Sequence, residues 1–294
     1  MHKHCFTVDV EDGISIAMRD AFGKQIPQTE RVVSNTNRIL DLMAKYNTKG
    51  TFFTLGQVAE HFPDLIKRIA NEGHELGVHG YDHWQFFKLS PKQAFEEISS
   101  AKKILEDISG APVYGHRAPA FSIMPETQWG LEMIEKAGFV YDSSIMPCKM
   151  NRYGWPEFPK ATTKVELPDG KSLIEVPLSV DKLFFKEVPV CGGGYLRLFP
   201  FAFSKNSFEK VSQKRPVIVY IHPYEVDPNR YPDFYFEELQ QADWKKRLKM
   251  KSFWINRASV FPKLEKFLQM YAFEPMITMV EKTNNPPIFK VEKE

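Results

Sequence analysis

The sequence predicts an α/β fold in which a parallel sheet closes into a barrel. Over the first 140 residues, short β-branched or aromatic segments alternate about five times with segments of helical spacing. Single strands and helices in alternation are typical of parallel sheets with right-handed crossovers. Five such units in this length favour a barrel over an open sheet. A chain of 294 residues suits one large domain of this kind.

The helices are predicted from apolar stripes that recur every three or four residues. Gly73 ends the second helix. The third helix begins with Ser90 as its N-cap and Pro91 in its first turn, and Gly110 ends it. The predicted helices are residues 30–47, 58–72, 91–109, 126–137, 200–213 and 257–271.

The strands are predicted from short runs of β-branched and aromatic residues between turn signals. The clearest of these runs is residues 216–222, which is apolar until it ends at His222. The predicted strands are residues 4–9, 51–55, 74–79, 113–116, 139–142, 173–178, 216–222 and 275–280.

The remaining segments are predicted to be irregular. Residues 145–170 are rich in turn residues and contain a hairpin turn at 168–170, and residues 191–195 form a glycine loop. Residues 223–256 are predicted as a surface excursion, which leaves a homo-oligomer interface open. No composition shift marks a domain boundary. Residues 1–280 are therefore assigned to the barrel and residues 281–294 to a polar, loosely held tail.

Charge and composition exclude several classes of function. The 39 basic and 37 acidic residues give a net charge of +2 and are scattered along the chain. No nucleic-acid partner is therefore expected, and no basic amphipathic helix indicates a membrane surface. No run approaches the ~18 apolar residues of a spanning helix, and the N-terminus does not look like a secretory signal. Three widely spaced cysteines fit a reducing compartment, so a cytoplasmic location is expected.

Two histidines at a strand end indicate a metal site. His79 and His83 lie four residues apart where the third predicted strand opens into a turn. Neutral imidazole is a common ligand of zinc and neighbouring metals. This strand end belongs to the C-terminal face of a parallel barrel, where such enzymes place their chemistry.

Carboxylates, an arginine and another histidine are predicted on the same face. The first strand ends in Asp9, Glu11 and Asp12, whose mutual repulsion a divalent cation or an arginine would offset. One carboxylate with two histidines and an open position describes a catalytic metal site. Asp9 is predicted to act as general base on water, and Arg117 to keep Asp9 ionised and oriented. His222 is predicted as the general acid that protonates a leaving group.

Five segments in one order resemble those of the polysaccharide deacetylases, the NodB-like carbohydrate esterase family 4. They are T-V-D-V-E-D-G at 7–13, H-G-Y-D-H at 79–83, R-A-P-A-F at 117–121, Y-D-S-S at 141–144 and I-V-Y-I-H at 218–222. Three further segments are similar to the exopolysaccharide-locus branch, near which the allantoinase-like and Helicobacter-type peptidoglycan deacetylases lie. These are D-V-E-D at 9–12, G-G-G-Y-x-R at 192–197 and I-H-P-x-E at 221–225.

The resemblance implies a distorted (β/α) barrel of about seven strands, that is, a (β/α)7 barrel. It implies hydrolysis of an N-acetyl group on an amino sugar with a single divalent metal. The expected setting is capsule, lipopolysaccharide or exopolysaccharide synthesis, with a nucleotide-linked, lipid-linked or oligosaccharide substrate. Zn²⁺ is the expected metal, and Co²⁺, Ni²⁺ or Fe²⁺ suit the same kind of ligand set.

Residue roles follow from the resemblance position by position. Asp9 matches the family's base and Arg117 the arginine that holds it. His79 and His83 match the metal ligands, and His222 matches the general acid. The tryptophan of the family's fourth motif is missing near Asp142.

The resemblance leaves two candidates for the third metal ligand. The family places its base and its carboxylate ligand side by side, whereas two residues separate Asp9 from Asp12 here. Asp12 is preferred because it precedes a glycine, as the family's ligand does. Glu11 is the alternative, since in a regular strand it shares a face with Asp9.

Three further residues are expected to contact the substrate. A backbone N–H near Ala120 would complete the oxyanion site. Phe121 provides the aromatic side chain of the third motif, displaced by one position. Tyr195 lies in the glycine-rich segment and is the third of these residues.

Two other functions remain open from the sequence. A different C–N hydrolase on the same scaffold, such as a cyclic amidase of the allantoinase type, would share the metal and the base. The other alternative is a barrel that binds carbohydrate and keeps the fold but has no catalytic activity. Release of acetate, as opposed to ring opening or binding without turnover, separates the three.

Overall fold

The structure is a computed structural model that describes residues 3–252 and 254–292 of the chain. The predicted domain also includes Met1, His2 and Phe253, and the predicted tail includes Lys293 and Glu294. These five residues lie outside the described residues. The assignment of 1–280 to one domain and of 281–294 to a tail stays a prediction.

Strands and helices alternate along the chain. The strands are β1 His4–Val10, β2 Thr51–Thr54, β3 Glu75–Val78, β4 Gly115–His116, β5 Tyr141–Asp142, β6 Thr163–Glu166, β7 Ser172–Glu175, β8 Val180–Leu183, β9 Lys186–Pro189, β10 Ile218–Ile221, β11 Phe273–Glu274 and β12 Ile288–Lys290. The helices are α1 Gly13–Phe22, α2 Glu30–Lys45, α3 Gly56–His61, α4 Pro63–Asn71, α5 Pro91–Ser109, α6 Trp129–Lys136, α7 Gly193–Leu198, α8 Phe201–Ser212, α9 Asp233–Gln241, α10 Trp244–Ser252, α11 Val260–Met270 and α12 Met276–Glu281. None of the helices in the described part combines the length and apolar character that crossing a bilayer requires.

A parallel sheet forms the centre of the fold. Its strands lie in the order β10–β1–β2–β3–β4–β5–β7, and each neighbouring pair in this series is parallel. β6 pairs antiparallel with β7, β12 lies parallel beside β6, and β11 pairs with the start of β1. The predicted α/β fold with a central parallel sheet is confirmed.

The two ends of the parallel series, β7 and β10, are joined through the chain between them. Ser179 Oγ accepts a 2.9 Å hydrogen bond from the N–H of Ile218, the first residue of β10. Farther along β10, the N–H of Tyr220 donates to the carbonyl of Cys191 at 3.3 Å, and Tyr220 forms a single parallel bridge with Gly192. These contacts have the irregularity expected of a distorted barrel.

β1 shows how the sheet separates two apolar layers. All seven of its residues are buried. Phe6, Val8 and Val10 belong to the large cluster that includes the helices, whereas Cys5 belongs to the inner cluster on the other side of the sheet. Because side chains alternate along a strand, Asp9 shares the inner side with Cys5. The first strand therefore delivers a carboxylate to the interior.

Several segments differ from the sequence prediction. Residues 275–280, predicted as a strand, form α12 after Pro275, because a short apolar run does not distinguish the two periods. The helix predicted over 58–72 is divided into α3 and α4 at Pro63, which has no N–H to donate. The predicted glycine loop is helical from Gly193 onward. In the polar tail, β12 joins the sheet through β6, so this part is not loosely held.

In the segment predicted as a surface excursion, residues 223–256, the described part (223–252 and 254–256) packs against the rest of the fold. It contains α9 and α10, and its inner side chains form a buried cluster with α1, which the sequence analysis does not predict. The cluster consists of Ile14, Met18, Tyr231, Tyr235, Leu239 and Met250. The segment is therefore a packed wall, and its use as an oligomer interface stays a prediction.

His74, which precedes β3, leads to a prediction about stability in weak acid. Its Nδ1 accepts a 3.2 Å hydrogen bond from the N–H of Gly50. Burial, with the nearby positive charge of Lys49, lowers the pKa of His74 from 6.5 to about 4. Between these values the unfolded chain binds a proton that folded His74 does not bind. The free energy of unfolding is therefore expected to fall as the pH is lowered through this window, by up to about 3 kcal/mol from this group.

The measurement compares urea unfolding of the wild type and of His74→Asn at several values between about pH 7 and pH 4. The introduced amide oxygen can keep the acceptor for Gly50 but does not titrate. The variant is expected to show the shallower pH dependence. Parallel pH profiles for the two proteins would contradict this role of His74.

Candidate metal and catalytic site

Asp9 lies near the C-terminal end of β1 and is paired with a buried arginine. Arg117 Nη1 donates to Asp9 Oδ1 at 2.8 Å and to Thr7 Oγ1 at 2.7 Å. Its Nε and Nη2 donate to the carbonyl and hydroxyl oxygens of Ser143 at 2.9 and 3.0 Å, and its guanidinium carbon lies 4.2 Å from the centre of the Phe53 ring. The side chains of Asp9 and Arg117 are 1% and 0% exposed. A guanidinium held at each nitrogen fixes the orientation of Asp9 and leaves Oδ2 for other partners.

Glu11, His79 and His83 converge next to Asp9. Glu11 Oε2 lies 2.9 Å from His83 Nε2 and 3.5 Å from His79 Nε2. Ligand atoms of the three buried side chains all lie within 4.8 Å of one another. Burial opposes ionisation of Glu11, but the neighbouring imidazoles of His83 and His222 hold its pKa well below its ordinary value.

This donor set fits a divalent transition metal. His79 Nδ1 bonds to the carbonyl of Arg117 at 2.8 Å, so Nδ1 carries the proton and Nε2 is left as the ligand atom. Glu11 Oε2 is buried and lacks a partner with hydrogen-bond geometry among the described residues. An unpaired buried carboxylate oxygen is costly unless it meets a cation. Two imidazoles and one carboxylate leave coordination positions open, as catalytic metal sites do.

Helix α1 holds the loop that carries His83. His83 has a φ of +55°, in the left-handed region that such residues adopt rarely and often at functional sites. Arg19 of α1 donates to the backbone carbonyl of Asp82, to its carboxylate at 3.1 Å and to the carbonyl of His83 at 3.4 Å. Because α1 begins just after Glu11, one helix is connected to two of the three ligands.

Asp12 does not join the cluster, which corrects the preferred sequence assignment. Its Oδ1 accepts a 3.0 Å hydrogen bond from the N–H of Ile14 and caps α1, and its Oδ2 accepts one of 2.5 Å from the N–H of Thr29. The cause is local, since a helix that begins at Gly13 leaves N–H groups that need an acceptor just before it. Glu11, the alternative ligand, is the carboxylate that the structure brings to the histidine pair.

His222 follows β10 and faces the two inner carboxylates. Its Nε2 lies 3.8 Å from Asp9 Oδ2 and 3.9 Å from Glu11 Oε1. Its Nδ1 lies 3.1 Å from Glu225 Oε2, and Arg197 Nε donates to the other oxygen of Glu225 at 3.1 Å. Burial lowers the pKa of His222, but the carboxylates of Glu11, Glu225 and Asp9 outweigh burial and raise it to about 9. An imidazole that keeps its proton at neutral pH suits a general acid.

Sequence reasoning assigns no role to Glu225 or Arg197. Glu225 is fully buried and Arg197 is 6% exposed. The signal was in the sequence, because the I-H-P-x-E and G-G-G-Y-x-R segments end in these two residues. Glu225 is a direct partner of His222, and the tryptophan of the fourth motif is missing near Asp142. Asp142, where that motif was expected, accepts a hydrogen bond from Ser144 in the buried layer behind Arg117.

Most of the predicted site residues line a cavity of about 380 Å³. Its volume lies in the range of ~300–1,000 Å³ typical of small-molecule sites. The chemical groups that line it are Asp9, Glu11, His79, His83 and His222, and Arg117 lies behind Asp9. The predicted substrate contacts Ala120, Phe121 and Tyr195 also line it, as do Tyr153, Tyr220, Tyr224, Tyr231, Tyr235 and Trp254. The aromatic wall contributed by Tyr231, Tyr235 and Trp254 was not predicted, because these residues belong to a segment without a clear period.

Comparison with known proteins gives one family for the first half of the chain. A family model described as polysaccharide deacetylase matches residues 25–141, and a domain of unknown function, DUF3473, matches residues 143–281. The peptidoglycan-N-acetylglucosamine deacetylase of Bacillus cereus is 38% identical over 98 residues, which are 33% of this chain and 36% of that protein. The peptidoglycan deacetylase of Helicobacter pylori is 33% identical over 109 residues, which are 37% of this chain and 36% of that protein. The chain thus matches about a third of the length of these curated relatives.

A solved structure shares the fold over the whole chain. It is that of a Mycobacterium smegmatis protein named for the polysaccharide deacetylases. It superposes with a TM-score of 0.63 at 18% identity and covers 100% of this chain and 96% of its own. The family resemblance predicted from the five motifs is confirmed by these comparisons.

Proposed function

We propose that this chain is a metal-dependent N-deacetylase of amino sugars, on the basis of the match of residues 25–141 to the polysaccharide deacetylase family. The proposal is carried by one observation. Asp9, His222 and the Glu11–His79–His83 cluster line the same cavity. Hydrolysis of an amide needs a base, an acid and an electrophile, and each of these three features supplies one of them.

The chain's own residues have separate roles in metal binding and proton transfer. Glu11, His79 and His83 would hold a divalent cation, which would supply Lewis acidity toward an amide carbonyl and water. Asp9 Oδ2 accepts the proton of the attacking water. Arg117 occupies Oδ1 and keeps the other oxygen directed inward.

His222 delivers the second proton. Its Nδ1 faces Glu225, so its Nε2 is the nitrogen that is directed toward the inner carboxylates and the cavity. As the carbon–nitrogen bond breaks, Nε2 protonates the departing nitrogen. The products are then acetate and a free amine, and water has supplied the hydroxyl group and the proton.

The substrate contacts belong to the proposal as well. The backbone near Ala120 lines the cavity and adopts the left-handed conformation at two successive residues, with φ of 53° at Ala120 and 51° at Phe121. Such unusual backbone is often found where a ligand is held. We assign the oxyanion N–H to this turn and sugar contacts to Phe121 and Tyr195.

The biological setting is inferred from the sequence resemblance. The exopolysaccharide-locus segments favour a role in polysaccharide synthesis, with Zn²⁺ as the metal and a cytoplasmic location. The two curated relatives are named for peptidoglycan. Because the match spans about a third of their length, the substrate is assigned only as an N-acetylated amino sugar.

The test is acetate release by the purified, metal-loaded protein. We expect acetate and a primary amine in equal amounts from at least one N-acetylhexosamine substrate among nucleotide-linked, lipid-linked, oligosaccharide and peptidoglycan forms. Removal of the metal with a chelator should stop the reaction, and its return should restore it. Ring opening of allantoin without acetate release would identify a cyclic amidase instead. Sugar binding without turnover of any substrate would identify a binding protein.

A further inference from the structure

Helix α10 presents a basic outer face. Trp244 and Leu248, four residues apart on one side of the helix, are 69% and 64% exposed. Lys245, Arg247 and Lys251 are exposed on either side of them. We call these five residues the α10 face.

The inner side of α10 fixes this orientation. Met250 is 5% exposed and packs in the cluster with Tyr231 and Tyr235. Lys246, also on the inner side, lies 6.0 Å from the centre of the Phe22 ring. The helix therefore cannot rotate to bury Trp244 without removing Met250 from the cluster. Because apolar residues lie on both sides, the sequence of α10 shows no clear amphipathic period.

The charge of the α10 face is not neutralised by its own surroundings. The helix contains no acidic residue. Within residues 3–252 and 254–292, no carboxylate forms an ion pair with Lys245, Arg247 or Lys251. Arg247 donates to carbonyl oxygens of Ala242 and Gln240, which are neutral acceptors.

We propose that the α10 face docks on the surface of an anionic lipid bilayer. Helices that lie in a membrane interface typically carry tryptophan and leucine surrounded by lysine and arginine. The apolar side chains enter the headgroup boundary, and the cations contact lipid phosphate. Charge complementarity selects this occupant over a second copy of the chain. Two α10 faces brought together by a two-fold axis would oppose their unpaired cations.

Docking through α10 also narrows the substrate class, a step that rests on the proposed function. Met250, on the inner side of α10, lines the cavity, so the α10 face and this part of the cavity wall are opposite sides of one helix. A helix with its side chains is about 10 Å across. The sugar head group of a lipid-linked substrate would therefore lie within reach of the cavity. We infer that the substrate is an amino sugar carried on a lipid.

The test of docking is co-sedimentation of the full chain with vesicles of neutral phosphatidylcholine alone or mixed with anionic phosphatidylglycerol. We expect binding to the mixed vesicles only, and weaker binding at high salt. The Lys245→Gln/Arg247→Gln/Lys251→Gln variant should bind about a hundredfold less, on the order of fivefold per charge. Trp244→Ser/Leu248→Ser should also lose most of the binding at unchanged net charge.

The matched control removes three exposed lysines elsewhere, as Lys67→Gln/Lys92→Gln/Lys103→Gln, and is expected to bind as the wild type does. Docking is overturned if the wild type does not co-sediment with anionic vesicles. It is equally overturned if this control loses as much binding as the α10 variants. It is also overturned if the wild type is a dimer in solution that Trp244→Ser/Leu248→Ser dissociates.

Substrate class is tested separately, by comparing acetate release from a lipid-linked substrate in vesicles and from a water-soluble one. The α10 variants are expected to lose the first activity and keep the second. Equal rates on both substrates for wild type and variants would overturn the lipid-linked assignment. Vesicle binding by a protein that releases no acetate from either substrate would leave docking in place and overturn the proposed function.

Discussion

Replacing Asp9 by asparagine is expected to lower kcat/KM by about 10²–10⁴-fold while the protein keeps its metal. The asparagine side chain is nearly isosteric with aspartate, and its amide oxygen could still accept a hydrogen bond from Arg117 Nη1. It cannot take a proton from water. Asp9 is not one of the three converging ligands, so the metal content should stay near that of the wild type. The measurements are steady-state kinetics and metal analysis on the same sample.

The buried ion pair between Asp9 and Arg117 means that Asp9→Asn also affects stability, and it suggests a control variant. Asp9→Asn leaves the charge of Arg117 uncompensated, which costs about 3–5 kcal/mol when a buried pair is broken. The double variant Asp9→Asn/Arg117→Met removes both charges and should recover part of the lost stability. It should recover none of the activity. A folded, metal-loaded Asp9→Asn protein with near wild-type turnover would remove Asp9 from the role of base.

Glu11→Gln is expected to weaken metal binding by more than about 100-fold, because it removes the anionic ligand and not merely a supporting contact. Its neighbour Asp12 gives a matched comparison. Asp12→Ala should bind metal as the wild type does and lose about 1 kcal/mol of stability with the α1 cap, and Asp12→Ser should regain part of it. Metal retained after dialysis and the rise in Tm on adding metal distinguish the two positions without any assay of activity. The assignment fails if Asp12→Ala loses the metal and Glu11→Gln keeps it.

The elements that the sequence predicts well are the ones whose pattern is local. The short β-branched and aromatic runs that become β1 and β10 indicate buried strands, and the Ser90 cap and Gly110 bound α5 on their own. The placement of Asp9, the histidines and His222 follows from topology. Strand ends of one parallel sheet face the same way, so their side chains meet.

The choice between Glu11 and Asp12 could not be made from the sequence alone. It depends on whether the chain leaves β1 as extended backbone through residue 11 and on where α1 begins. The segment G-I-S-I-A-M alternates apolar and small residues, so it does not show a helical stripe clearly. Without α1 there was no reason to expect Asp12 to serve as an N-cap, and its position before a glycine matched the family's ligand.

The aromatic wall of the cavity was hidden for a different reason. Tyr231, Tyr235 and Trp254 belong to a segment with no clear period, and their burial depends on α1, which lies more than two hundred residues earlier in the chain. Packing between such distant elements is a tertiary effect that local pattern does not report. Glu225 is only three residues from His222, but the sequence pattern does not show that the turn after β10 directs its carboxylate to the imidazole.

Because of its position, helix α1 takes part in both substrate binding and metal binding. One side of this helix lines the cavity with Ile16, Ala17 and Asp20. Arg19 donates a hydrogen bond to the carbonyl of His83, and the helix begins just after Glu11. A substrate that contacts α1 would therefore affect the positions of the metal ligands Glu11 and His83. Thermodynamic reciprocity requires that any factor by which substrate tightens the hold on the metal is the factor by which the metal tightens the hold on substrate.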